Sequence, residues 1–453
     1  MLSSVRLAAR RTATSSLFSP YKFEELDLHA NLQRSLATMK IQSLTEIQSK
    51  SFIPISQNRD TVLCSETGSG KTLAYMVPLF NRILFKQDWD TANPSRNWRD
   101  LLGRARSPIV VVCPTVELCK QTIKVASELD PENRIIKQFL RNDDSIDGLV
   151  VSRRIRWGAV DFVVTTPSKF VEDMARFRQD NLKPSSIVFD EADLLFHGAT
   201  QAHVLDIIGY LRPRIRTKMN KMDKTESSSL TQFVFASATL PDMGQLSIGS
   251  MITQRFPTAE LVRAGNFHGV PGTVTLDWIE ESKGDWEGRC FMLTNLLSEL
   301  CDSEKKRVIV FVNSSRNCEL LFRFLAEKKW PVLKYSKSCL EDGENFSSSL
   351  SSSGSLQILV ATDLAARGID WTDVDTVINF QMPRDVVTWI HRAGRCGRMG
   401  KSGQVITFHK ESELEIVNAI KARIPSQSSD LSTLFSRKRS LRRKIRLGKV
   451  SSS

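Results

Sequence analysis

Eight consecutive residues, Ser65-Glu66-Thr67-Gly68-Ser69-Gly70-Lys71-Thr72, have the composition of a loop that wraps a phosphate. Glycines let successive backbone N–H groups turn toward one centre, Lys71 supplies a point charge, and Thr72 offers a hydroxyl to magnesium. Ser65 stands where the general motif has its first glycine, and a small residue suffices there. Later in the chain, Ile187-Val188-Phe189 runs into Asp190-Glu191-Ala192-Asp193. In phosphate-loop NTPases an aspartate at such a strand end holds magnesium and a neighbouring group orients the attacking water. Asp190 fits the first role and Glu191 the second. Alone, the acidic tetrad would suit a capped helix start equally well. Ser237-Ala238-Thr239 ends another apolar run and offers hydroxyls to Asp193 or to the phosphate side of the site; by itself it is an ordinary strand-end turn.

Such residues need strand tips and helix starts to hold them. Leu28, Leu32, Leu36 and Met39 recur at helical spacing, which predicts an amphipathic helix over 27–39. Strand-like runs follow at 61–64, 109–113, 162–165, 187–190 and 232–236, with helical patterns near 72–85, 116–129, 168–176 and 200–211 between them. This alternation is the grammar of a parallel sheet covered on both faces. It breaks at 265–273, where Gly265, Gly269, Pro271 and Gly272 crowd together as a linker. It resumes with strands near 273–278, 308–312, 358–361, 376–380 and 404–408, and helices near 286–300, 316–328 and 412–422. Two α/β domains in tandem are expected, over 23–264 and 274–425. Polar stretches 86–107 and 212–224 read as surface insertions, the second being an RNA-facing loop or a solvated tether, and 347–355 is a serine-rich patch.

Net charge is +13, and the excess sits at the two ends. Residues 1–22 carry Arg6, Arg10, Arg11 and Lys22 without an acid, in a Ser-, Thr- and Ala-rich setting that matches a mitochondrial targeting peptide or else a basic disordered terminus. Residues 437–453, within a tail from 426, hold eight Lys or Arg and no acid, as an RNA anchor or a localisation or docking tail would. No apolar run approaches the roughly 18 residues of a membrane span. The eight cysteines form no C-x-x-C pair and no zinc spacing, which points to a reducing compartment without disulfides or a structural metal.

With these motifs in order, the chain resembles a DEAD-box RNA helicase of superfamily 2, from Phe23 to about residue 410. Phe23 matches the family's upstream aromatic and Gln48, in Leu44-Thr45-Glu46-Ile47-Gln48, its adenine-reading glutamine. Pro114-Thr115-Val116-Glu117-Leu118 and Thr166-Pro167-Ser168-Lys169 match RNA-contact motifs of the first domain. Ala361-Thr362-Asp363 leads into Arg367-Gly368-Ile369-Asp370, and His391-Arg392-Ala393-Gly394-Arg395-Cys396-Gly397-Arg398 matches the last motif.

The resemblance implies two RecA-like domains and an ATP- and magnesium-dependent enzyme acting on RNA through its backbone. ATP would lie against Phe23, Gln48, the loop Ser65–Thr72 and Asp370, with magnesium on Thr72 and Asp190. Glu191, His391, Arg395 and Arg398 would be catalytic, the two arginines reaching the γ-phosphate when the domains close. Asp193, Ser237, Thr239 and Arg392 would couple the sites, and Pro114, Thr115, Thr166, Pro167 and Thr362 would contact RNA. Departures fall on the RNA side. Leu44 replaces a proline, Val116 an arginine, Gly148 stands alone where two glycines are usual, and 338–347 lacks the family's glutamine and arginine. The alternative is an RNA-clamping assembly factor with vestigial ATPase activity. A mitochondrial leader on a two-domain helicase resembles the members that assemble the large ribosomal subunit, which implies a matrix protein acting on its rRNA precursor.

Overall fold

The computed structural model describes residues 18–92, 107–140, 151–152, 157–179, 183–196, 200–212, 231–239, 248–265, 270, 273–281, 285–301, 306–335, 356–363, 374–383, 386–397 and 401–423. Asp370, Arg398, most of the 212–224 stretch, the serine-rich patch, the 338–347 departure, Gly148 and the basic tail lie outside them.

Short, mostly apolar runs become fully buried strands, as expected of a parallel sheet with both faces covered. In the first domain these are β3 (Thr61–Cys64), β4 (Ile109–Val112), β7 (Phe162–Thr165), β8 (Ser186–Phe189) and β9 (Gln232–Ser237). With β5 (Lys137–Leu140), β6 (Val151–Ser152) and β10 (Glu260–Arg263) they form an eight-stranded parallel sheet in the order β10-β3-β9-β8-β4-β7-β5-β6. Alternation sorts the side chains: Ile109, Val111 and Cys113 join the core on one face, and Val110 and Val112 the core on the other. The second domain has a six-stranded parallel sheet, β11 (Val274–Glu280), β12 (Lys306–Val312), β13 (Val332–Tyr335), β14 (Leu356–Thr362), β15 (Thr376–Asn379) and β16 (Gly403–His409). Its order is β11-β16-β15-β12-β14-β13, again with a core on each face.

The structure departs from the expected boundaries at three places that matter to the site. Folded chain includes Phe18–Lys22, ahead of the expected start at Phe23, because β1 (Phe18–Lys22) pairs antiparallel with β2 (Ser43–Thr45), Phe18 opposite Thr45. A helix over Glu46–Ser56, unforeseen because it contains Pro54, starts at a capping box in which Gln48 accepts from the Thr45 N–H at 2.9 Å. The helix Lys71–Ala92 runs seven residues beyond the expected end at 85, so the stretch 86–107 is not all insertion. That helix continues through Pro78, which cannot donate to the Ala74 carbonyl. The Ser51 hydroxyl donates to that carbonyl instead, at 3.1 Å, and ties the glutamine helix to the phosphate-loop helix.

Candidate active site

The loop Ser65–Gly70 leaves the carboxyl end of β3 and enters the helix at Lys71. Gly68 and Gly70 have φ of 78° and 89°, which a side chain would strain. At Gly70 a Cβ would also lie 2.4 Å from Gln48 Nε2, so glycine is needed there twice over. Gln48 Nε2 donates to the Gly70 carbonyl at 3.2 Å, while Ser65 and Ser69 hydroxyls close the neck of the loop at 2.6 Å. Ser65 thus contributes a bond that a glycine would lack. Lys71 Nζ donates to the carbonyls of Ser65 and Glu66, both at 2.7 Å. Burial lowers its pKa, opposed by Glu191, Asp193 and Asp190. Burial also raises the pKa of Glu66, against the pull of Lys71.

Asp190 follows β8 directly. Its Oδ1 accepts from the Glu191 N–H at 3.0 Å and its Oδ2 from the Tyr75 hydroxyl at 2.8 Å. Burial first, then repulsion from Glu191, pushes its pKa up to about 6. Glu191 caps the turn Ala192–Leu195 with φ 51° and ψ 52°, the left-handed region that disfavours a residue with a side chain. Its Oε2 is buried and makes no hydrogen bond.

Asp193 gathers contacts from both domains. Its Oδ2 accepts from the Thr239 N–H at 3.1 Å, the Thr239 hydroxyl at 2.6 Å and His391 Nε2 at 3.1 Å. Burial works to raise its pKa, but His391 and the Thr239 hydroxyl outweigh it and hold the carboxyl well below the usual range. Ser237 donates to the Thr239 carbonyl and so shapes that turn. The hydroxyl triplet therefore serves Asp193, one of the two partners expected of it.

The two domains meet here. His391, on the second-domain helix Val386–Ala393, presents Nδ1 to Glu191 Oε2 at 3.4 Å while Nε2 meets Asp193. One residue past that helix, the Gly394 carbonyl accepts from the Thr67 hydroxyl at 3.2 Å. Ligand-type atoms of Glu191, Asp193 and His391 lie within 4.8 Å of one another. Yet the two carboxylates approach opposite edges of one imidazole, so no single point suits all three. The trio is an interdomain bridge rather than a metal centre.

Other expected residues fall into different surroundings. Arg392 is 1% exposed and spent inside the second domain, on Asp363, Asn379 Oδ1, the Gln381 carbonyl and Asn313 Oδ1. It knits strand ends of one sheet together and touches nothing across the cleft in these bonds. Arg395 is buried in the turn beside Gly394. Phe23 is 5% exposed within the first-domain core, which leaves little of its ring open to a base. Thr115 caps its helix by accepting from Leu118 N–H at 3.3 Å, and Pro167 opens the helix Pro167–Gln179. With Pro114, Thr166 and Thr362 they lie at the carboxyl ends of β4, β7 and β14. Tyr75 and Thr45 were not foreseen; Tyr75 sits one turn beyond Lys71 on the same helix, the spacing that could have drawn notice.

The family model for DEAD/DEAH box helicases matches residues 45–246, and that for the helicase conserved C-terminal domain matches residues 292–400. The chain belongs to the DEAD/DEAH-box helicases. Curated family members similar to it include DEAD-box ATP-dependent RNA helicase 39 of Arabidopsis thaliana, 28% identical over 85% of this chain and 58% of that protein. ATP-dependent RNA helicase DBP2 of Eremothecium gossypii is 28% identical over 89% of this chain and 67% of its own length. The chain thus spans about three-fifths to two-thirds of the length of these relatives. Among solved helicase structures, Saccharomyces cerevisiae Dbp5 bound to RNA and ADP BeF3 shares the fold with a TM-score of 0.66 and 22% identity, over 89% of this chain and 93% of that one. Mss116 bound to single-stranded RNA and UDP-BeF does so with a TM-score of 0.70 and 19% identity, over 95% and 88%. Both confirm two tandem RecA-like domains.

Proposed function

We propose that the chain is an RNA-stimulated ATPase that remodels RNA locally, in the mitochondrial matrix, on precursors of the large ribosomal subunit. The enzymatic part rests on one observation: His391 and Gly394 of the second domain meet Glu191, Asp193 and Thr67 of the first. Such contacts exist only while the domains face each other, so chemistry at Glu191 is tied to closure.

Each polar end of Gln48 already makes one bond, to the Thr45 N–H and to the Gly70 carbonyl. One lone pair on Oε1 and one hydrogen on Nε2 remain. That acceptor–donor pair matches the amino group and N7 of adenine and mismatches the carbonyl of guanine. Lys71 and the backbone N–H groups of the loop would take the phosphates. The magnesium fit rests on Asp190, a buried carboxylate near Lys71, and on the Thr72 hydroxyl at the helix start, oxygen donors of the kind a hard cation takes. Held there, magnesium would neutralise charge on the β- and γ-phosphate oxygens. Glu191, whose Oε2 makes no hydrogen bond and faces His391 Nδ1 at 3.4 Å, would accept a proton from the attacking water. Arg395, and Arg398 beyond it, would neutralise charge on the transferred group. RNA phosphates would lie at the helix starts behind Thr115 and Thr166, making recognition largely blind to sequence.

Hydrolysis assays with and without RNA, on wild type and Lys71→Ala, test this reading. RNA should stimulate turnover of ATP in preference to GTP, and the variant should lose it. An RNA-binding wild type with no turnover would instead support the clamping factor, which the altered Leu44 and Val116 favour. The matrix assignment is supported by the acid-free, arginine-spaced start of the chain. Crosslinking in mitochondria should recover large-subunit rRNA; recovery of unrelated RNA would refute that part.

A further inference from the structure

The helix Lys71–Ala92 begins with a charge and a hydroxyl that serve phosphate and metal, and one turn later it carries Tyr75. Tyr75 has no exposed surface, and its hydroxyl donates to Asp190 Oδ2 at 2.8 Å. The other oxygen of Asp190 accepts from the Glu191 N–H at 3.0 Å. The carboxylate is therefore gripped at both oxygens, once by its own chain and once by the helix that carries Thr72. We propose that Tyr75 is a positioning residue for the divalent-cation side of this site, orienting Asp190 relative to Thr72 so that the two can hold one ion. The inference rests on the reading of Asp190 as a magnesium-holding residue and names what sets its orientation.

The geometry separates this role from simple core filling. The ring of Tyr75 fills the core beside the sheet, and a phenylalanine would fill it as well. Only the hydroxyl reaches Asp190. An ordinary phenol loses its proton only at about pH 10, so the hydroxyl is a donor throughout the working range. Groups that orient a metal-holding side chain change metal affinity by about 10–100-fold when removed. A hydroxyl on the same helix as Thr72 also fixes the spacing of the two oxygen donors, which a cation demanding regular geometry reads strictly.

The test uses the full chain and binding of a fluorescent ADP analogue, titrated with magnesium and repeated in EDTA. Tyr75→Phe should leave the EDTA affinity and the melting temperature near wild type. Its magnesium half-saturation should rise about tenfold or more. In an Asp190→Asn background the same substitution should make no further difference. If wild type itself binds nucleotide identically with and without magnesium, the reading of Asp190 fails and the inference falls with it. If wild type responds to magnesium and Tyr75→Phe responds identically, the inference alone is overturned. An additional magnesium defect of Tyr75→Phe in the Asp190→Asn background also overturns it, because the hydroxyl would then act by another route.

Discussion

Gly394 offers the sharpest test of the proposal that chemistry waits on domain closure. A Cβ at 394 would lie 1.6 Å from Thr67 Oγ1, 2.8 Å from Thr67 Cβ and 3.2 Å from Thr67 Cγ2. Rotating the Thr67 side chain relieves the first overlap but not the second, because Cβ moves only with the backbone. Carbon atoms in contact sit about 3.5–4.0 Å apart, so the facing surfaces must part by at least roughly 0.7 Å. The same junction carries the His391–Asp193 bond at 3.1 Å, which a shift of that size would loosen. Overpacking of this kind costs about 1–3 kcal/mol. If that cost falls on the closed state alone, its population drops about 5–150-fold. Gly394→Ala should therefore keep ATP affinity without RNA, since Gly394 meets the loop only across the cleft. Closure, read by fluorescence transfer between labels on the two domains with RNA and a non-hydrolysable ATP analogue, should fail together with RNA-stimulated turnover. Normal closure and turnover in Gly394→Ala would refute the reasoning.

Three further outcomes follow from the same geometry. Glu191→Gln should bind ATP normally and lose turnover by about 10²-fold or more, because an amide cannot accept the water proton; single-turnover hydrolysis checks it, and an unaltered rate would remove Glu191 from the chemistry. Ionised Asp190 is needed for the cation and its pKa is pushed up to about 6, so turnover at limiting magnesium should fall as pH drops through that value. Added magnesium favours the ionised form and should move the limb to lower pH; a limb indifferent to magnesium would contradict the assignment. Because Phe18–Lys22 pairs with the strand that ends at Thr45, removing residues 1–17 should leave ATP affinity intact whereas removing 1–22 should weaken it and blur the preference over GTP. Equal affinities for the two truncations would show that the strand does not steady Gln48.

What could be read in advance followed burial. Runs such as Ile109–Val112 and Phe162–Val164 are apolar at every position because both sheet faces are covered, and the phosphate loop declares itself by glycines that its backbone requires. Some strands at or beside the sheet edges were missed, although the edge strand Val274–Glu280 was foreseen near 273–278. Lys137–Leu140, Glu260–Arg263 and Val332–Tyr335 mix polar and apolar residues because solvent reaches part of them. The helix Val386–Ala393 was hidden by β-branched residues, whose propensity yields to the packing of Trp389 and Ile390 in the core. For Phe23 and Arg392 motif position did not reveal the surroundings: the first packs in the first-domain core, and the second bonds to strand ends of its own sheet. Tyr75 escaped because its partner lies 115 positions away and only the folded helix brings them together.

The left-handed backbone at Glu191 has a consequence for how this chain can change. A residue with a side chain held there costs on the order of 1 kcal/mol or more, which asparagine or glycine would largely relieve. A selection for heat resistance alone would therefore favour Asn or Gly at 191 and discard the carboxylate. A glutamate retained in that conformation is a mark of activity held against stability, and directed evolution of this protein should be run with turnover in the screen.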